Sequence, residues 1–243
     1  MTSPSVGEDE ERRATLARNL DAVRQRIAAA CAQAGRSPDE VTLTVVTKFF
    51  PASGVRLLAG LGIGHVGENR HQEAQAKAAA CADLDLTWHF VGGLQSNKAA
   101  AVAGYADVVE SLDRVKLLRG LSRGAHERGR VLDVLVQVSL DPPGEAGSAR
   151  SGASPEEALD LARRVVDTEG LRLRGVMAVA PLGADPSPAF AGLAEVAAAV
   201  RAVEPAATWV SAGMSSDLEA AVQAGATHVR IGSAVLGSRP TGR

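Results

Sequence analysis

Eight short runs rich in β-branched and apolar residues recur along the chain, and a stretch of helical periodicity separates each from the next. They fall at residues 41–48, 63–67, 86–91, 107–112, 132–140, 173–180, 208–212 and 227–231. Strand followed by helix, repeated, specifies a parallel sheet, because parallel neighbours need a crossover and the helix supplies it. Eight such units in 243 residues match the roughly 250 residues of a single α/β (β/α)8 TIM barrel. A doubly wound open sheet gives the same local pattern with fewer strands and stays the structural alternative. Leu16, Leu20, Val23 and Ile27 recur at helical steps ahead of the first strand and add an extra N-terminal helix. Residues 1–8 are expected to be a disordered tail, and 9–243 one barrel domain.

Composition narrows the function classes. The 26 basic and 28 acidic residues give a net charge of −2 with no basic cluster, so nucleic acid is not an expected partner. The first residues are polar and acidic rather than basic and apolar, and no run of some 18 apolar residues occurs. A soluble cytoplasmic chain without a membrane partner is therefore expected. Cys31 and Cys81 sit in alanine-rich helical patterns without a CxxC spacing, which indicates neither a disulfide framework nor a metal site.

In a parallel barrel the chemistry lies beyond the carboxyl ends of the strands. Lys48 ends the first run, Val41-Thr42-Leu43-Thr44-Val45-Val46-Thr47-Lys48. A primary amine desolvated against an apolar wall attacks aldehydes to form a Schiff base. The plainer alternative is a lysine snorkelling to water. The other strand ends present Gly67-Glu68-Asn69, His89, Met177, Ser211-Ala212-Gly213 and Arg230 with Gly232-Ser233. Barrels commonly bind phosphate after strands seven and eight, where glycines admit an anion close to the backbone. Gly213 and Gly232 are equally turn residues, Arg230 equally half of an ion pair, Asn69 equally a helix cap, and His89, between Trp88 and Phe90, equally packed. Two capping boxes are expected, Ser154 to Glu157 and Ser216 to Glu219, and Ser53 is expected to cap the second helix.

Taken together, these segments resemble the YggS/PROSC-type pyridoxal-phosphate-binding proteins, also called PLP homeostasis proteins. The similarity is carried by Val45-Val46-Thr47-Lys48, Gly67-Glu68-Asn69 with Gln72-Glu73, Trp88 through Lys98 (WHFVGGLQSNK), Gly175-Val176-Met177, Ser211 through Asp217 (SAGMSSD) and Val229-Arg230-Ile231-Gly232. The resemblance implies a barrel like the alanine racemase N-terminal domain, with pyridoxal 5′-phosphate (PLP) as cofactor and a covalent aldimine at Lys48. It implies that Ser211, with Gly213, Gly232 and Ser233, holds the phosphate and that Arg230 faces the pyridine nitrogen. Asn69, His89 and Met177 complete the expected cofactor contacts. The chain departs from the family pattern at Arg70, where tyrosine is common, and in the loop Glu145–Gly152, where Arg150 stands nearest the place of a lysine.

The resemblance also implies a non-catalytic role, holding and delivering PLP, with amino acids and apo-PLP-enzymes as partners. Racemisation through a carbanion needs two bases. The chain's single tyrosine, Tyr105, precedes the fourth strand and is expected at the opposite rim, and no further domain is expected after the barrel. A monomer is expected, with no catalytic residue assigned. Two alternatives stay open: a PLP-dependent racemase or weak transaminase-like enzyme, and an aldolase using Lys48 with a sugar phosphate. The aldolase leaves the WHFVGGLQSNK segment unexplained.

Overall fold

The computed structural model describes residues 6–141, 152–181 and 183–238. Eight parallel strands close into a barrel in sequence order: β1 (Thr42–Val46), β2 (His65–Glu68), β3 (Thr87–Phe90), β4 (Val108–Leu112), β5 (Leu132–Gln137), β6 (Leu171–Met177), β7 (Trp209–Ser211) and β8 (His228–Ile231). The (β/α)8 expectation holds, and the open sheet is excluded because β1 pairs with β8 through Val45 and Ile231. Around the barrel lie α1 (Val6–Gln33), α2 (Ala52–Gly60), α3 (His71–Ala80), α4 (Ala99–Ala103), α5 (Leu118–Arg128), α6 (Pro155–Val166), α7 (Pro186–Val203), α8 (Leu218–Gln223) and α9 (Ser233–Leu236).

The extra helix α1 buries Leu16, Leu20, Val23, Ile27 and Cys31 along one stripe. It is stitched to the end of the chain, since Asn19 donates to Val235 O at 2.9 Å and Arg26 grips Glu219 at 2.7 and 2.9 Å. This last pair changes one capping expectation. Glu219 serves Arg26, and α8 starts at Asp217, whose carboxylate accepts from Met214 N instead, so the Ser216 box does not form. Nor does Ser53 cap α2, whose N-cap is Pro51. The Ser154 box forms with both reciprocal bonds, and α6 then buries Ala158, Leu161, Ala162 and Val165 at helical spacing. Of the expected disordered tail, residues 1–5 lie outside the described residues, and Val6–Glu8 begin α1. Arg150 and most of the loop Glu145–Gly152 also lie outside them.

Inside the barrel the two halves differ. Val108, Leu135 and Met177, with Trp209 and Val179, pack an apolar half. The other half is filled by buried polar side chains from β3, β4, β7 and β8. Gly175 lets the wall close between them: its φ is +147°, and a Cβ there would lie 1.9 Å from Trp209 O, so no larger residue fits against β7. Among the described residues, no helix is long and apolar enough to cross a membrane.

Candidate functional site

Lys48 follows β1 at the carboxyl rim and is half-buried. Barrel closure sets it next to the last strand, because a Cβ on Gly232 would stand 3.3 Å from Val46 O. On the far side of Gly232, the hydroxyls of Ser233 and Ser215 meet at 3.4 Å. Gly213 makes the turn that delivers Ser215, with φ +91° and space only for hydrogen, since a Cβ would come within 2.7 Å of Ala221 Cβ. Its carbonyl accepts from Arg230 N at 2.9 Å, which ties the β7 loop to β8. The first amides of α9 have no acceptor within that helix. The Lys48 segment and a pair of hydroxyls with glycine backbone thus lie beyond the carboxyl ends of β1, β7 and β8, at the seam where β1 pairs with β8.

Beneath them runs a buried polar column. Arg230 donates from Nη2 to Ala178 O at 2.8 Å and from Nη1 to Ser211 Oγ at 2.7 Å. Ser211 Oγ donates a hydrogen bond to Glu110 Oε2 at 2.6 Å, and Glu110 Oε1 accepts from His89 Nδ1 at 2.7 Å. His89 Nε2 then faces His65 Nδ1 at 2.9 Å. Burial pushes the Glu110 carboxyl up, but the hydrogen bond and charge of His89, then Arg230 and Ser211, hold it down at about 2. Burial lowers the Arg230 pKa while Glu110 opposes it. His65 lines a cavity of about 700 Å³ among residues that precede β3, β4 and β5, on the amino-terminal side. The column therefore spans the barrel.

The expected site residues divide accordingly. Lys48 follows β1, Gly213 follows β7, Gly232 and Ser233 follow β8, all on the carboxyl side of the barrel, and Asn69 is exposed at the end of β2. Met177 ends β6 and borders a second cavity of about 220 Å³ between β3, β5 and β6. His89 and Arg230 lie inside, one below the other. Ser211 is fully buried, and its hydroxyl is committed to Glu110 and Arg230, so it does not reach the pair of hydroxyls at the seam. The hydroxyl that stands beside Ser233 Oγ is that of Ser215. Asn69 is not the cap of α3, whose N-cap position is Arg70. Arg70 instead lies over the Phe49 ring, 4.8 Å from its centroid. Tyr105 packs in the helical layer with its ring 5.8 Å from that of His71, its hydroxyl buried, and burial with nearby Glu68 raises its pKa.

Ser215, Glu110, Glu73 and Lys77 escape sequence reasoning as site residues. Glu110 carries a visible signal, a lone carboxylate in the apolar run Val108-Val109-Glu110-Ser111-Leu112.

A family model described as "Alanine racemase, N-terminal domain" matches residues 18–240. The chain belongs to that family. A protein of Mycobacterium tuberculosis named pyridoxal phosphate homeostasis protein is 43% identical over 245 residues, covering 94% of this chain and 95% of that one. PipY of Synechococcus elongatus PCC7942, whose structure was solved with PLP bound, is 35% identical with a TM-score of 0.78, covering 91% of this chain and 100% of that one. A protein of unknown function from Bifidobacterium adolescentis is 28% identical with a TM-score of 0.85, covering 97% of this chain and 98% of that one.

Proposed function

We propose that this protein binds pyridoxal 5′-phosphate at the carboxyl rim, with Lys48 as covalent anchor, and holds the cofactor for delivery rather than for turnover. The observation that carries the reading is the seam: the end of β1 that leads to Lys48 lies against Gly232, the Ser215 and Ser233 hydroxyls meet beside it, and buried Arg230 is on the same strand, β8. The residues fit the group. PLP supplies an aldehyde that condenses with a primary amine, releasing one water. The two hydroxyls and the amides of Gly232 and Ser233 would hold its phosphate. Arg230, a permanent cation, would be the residue that faces the ring nitrogen, and a cation there would disfavour protonation of that nitrogen. Such a site holds the cofactor in a weakly electrophilic state, as suits storage.

The positions of the polar groups support a carrier. Tyr105 has its hydroxyl shut in the helical layer and does not serve as a second base. Close relatives bearing the homeostasis name support the same reading, with amino acids and apo-enzymes as the partners that draw the cofactor off.

An absorbance spectrum of purified protein and of Lys48→Ala, with borohydride reduction and peptide mass mapping, tests the proposal. A visible band with its reduced adduct on Lys48 is the expected result. A protein that stays colourless with added PLP overturns it. Assays for amino-acid racemisation on the loaded protein then separate carrier from enzyme.

A further inference from the structure

Three charged side chains outside the barrel wall hold the residues on both sides of Lys48, two of them through main-chain atoms. Lys77, on α3 and 5% exposed, donates from Nζ to Thr47 O, Glu68 Oε1 and Glu73 Oε1, each at 2.7 Å. All three ammonium protons are thereby used. Glu68 Oε1 also accepts from Thr47 Oγ1 at 2.6 Å, and Glu73 Oε1 accepts from Phe49 N at 2.6 Å. Residue 47 is held through its carbonyl and hydroxyl, and residue 49 through its amide. Lys48 lies between them.

Phe49 is the one non-glycine residue with positive φ, +73°, among the described residues. Such a conformation persists only where its surroundings over-determine it. The Glu73 carboxylate on its amide and the Arg70 guanidinium on its ring provide that constraint. A cluster serving only to fasten α3 would need side-chain contacts alone, whereas two of these bonds go to main-chain atoms flanking Lys48. Those dihedrals set the direction of the Cα–Cβ bond at residue 48, from which a four-carbon stem carries the amine.

We propose that Lys77, with Glu68 and Glu73, is a positioning cluster that aims the Lys48 amine from outside the barrel and so sets its reactivity toward an aldehyde ligand. The inference rests on the reading of Lys48 as cofactor anchor. In chemical terms the cluster forms no bond to the ligand. It fixes the angle from which the amine approaches.

Lys77→Met, Glu73→Ala and Glu73→Gln test it. The glutamine keeps an acceptor for the Phe49 amide and removes only the charge. Three readouts are taken on each folded variant: the rate at which added PLP forms the Lys48 adduct, the pH midpoint of its absorbance band, and the rate of Lys48 acetylation by acetic anhydride, mapped by mass spectrometry without PLP. Loading is expected to slow roughly tenfold to a hundredfold in Lys77→Met and Glu73→Ala, with shifted midpoint and altered acetylation, and to recover in Glu73→Gln. Leu121→Ala, a core change remote from the cluster, is the control for lost stability and is expected to load as the parent does. Glu73 has a quarter of its side chain exposed, so its pair remains informative if Lys77→Met does not fold. Unchanged loading, midpoint and acetylation, even with a lower urea midpoint, would overturn the cluster's positioning role. A parent protein that forms no Lys48 adduct would overturn the anchor reading instead, and acetylation alone would then decide whether the cluster aims the lysine.

Discussion

Arg230 donates to the hydroxyl of Ser211 across 2.7 Å inside the barrel, and through that hydroxyl it leans on Glu110, whose carboxylate is 3.7 Å away. Both charges are almost fully buried, so each depends on the other. Glu110→Gln leaves the guanidinium without its counter-charge and is expected to cost about 3–5 kcal/mol, read from urea unfolding. Replacing both residues, Glu110→Met with Arg230→Met, should restore part of that loss. Arg230→Gln alone should also weaken PLP retention or shift its spectrum, and unchanged retention and spectrum would remove Arg230 from the cofactor site.

The two serines near the seam separate by function. Ser215→Ala removes a hydroxyl at the rim, so stability should change by no more than about 0.5 kcal/mol, while PLP affinity falls roughly tenfold or more, as for a lost bond to a charged group. Ser211→Ala should do the reverse in part, lowering the urea midpoint because Glu110 and Arg230 lose their bridge. Equal effects of the two substitutions on affinity and stability would contradict this division.

Two buried histidines set an acid limit. Burial lowers His228 to about 3 and His65 to about 4, the latter helped by His89. Between those values and about 6.5 the unfolded chain binds more protons, so their contribution is complete above pH 6.5 and is lost as pH falls. For His228 the slope approaches about 1.4 kcal/mol per pH unit. Urea midpoints should therefore drop from pH 7 to pH 5, and His228→Gln should flatten that dependence. A parallel pH profile in the variant would show the limit to lie elsewhere.

Gly175 and Gly192 give opposite outcomes for one substitution. Alanine at 175 would drive its Cβ to 1.9 Å from Trp209 O at a φ of +147°, whereas at Gly192, within α7, nothing lies within 4 Å of a Cβ. Gly192→Ala should stabilise by roughly 0.5–1 kcal/mol through helix propensity. Gly175→Ala should destabilise by about 3 kcal/mol or more, as overpacking against backbone does. Thermal unfolding of both proteins checks the contrast.

The barrel was legible because each strand carries its own local signal, and the closing pair adds no new residue type. Position along a strand is legible as well, so Lys48 after β1 and Gly232 with Ser233 after β8 are found at strand ends on the carboxyl side. The direction of a side chain was not. Ser211 and Ser215 lie in one loop segment, and only the Gly213 turn decides which hydroxyl faces the rim. The Ser216 box was misread because Glu219 has a partner 193 residues away, Arg26, which no local spacing reveals. Lys77 stands in an alanine-rich helix with no local signal of burial, and its partners Thr47 and Glu68 come from the ends of β1 and β2.

The seam between β1 and β8 also bears on folding. Val45 pairs with Ile231, so the anchor-bearing strand and the strand that leads to Gly232 and Ser233 meet only when the first and last strands of the ring join. A ligand that spans them binds the closed ring and no partially assembled one, and free energy of binding adds to the stability of closure by mass action. With the proposed site at this seam, PLP is expected to act as a clasp on the barrel, so that its loading raises the unfolding midpoint and its loss lowers it.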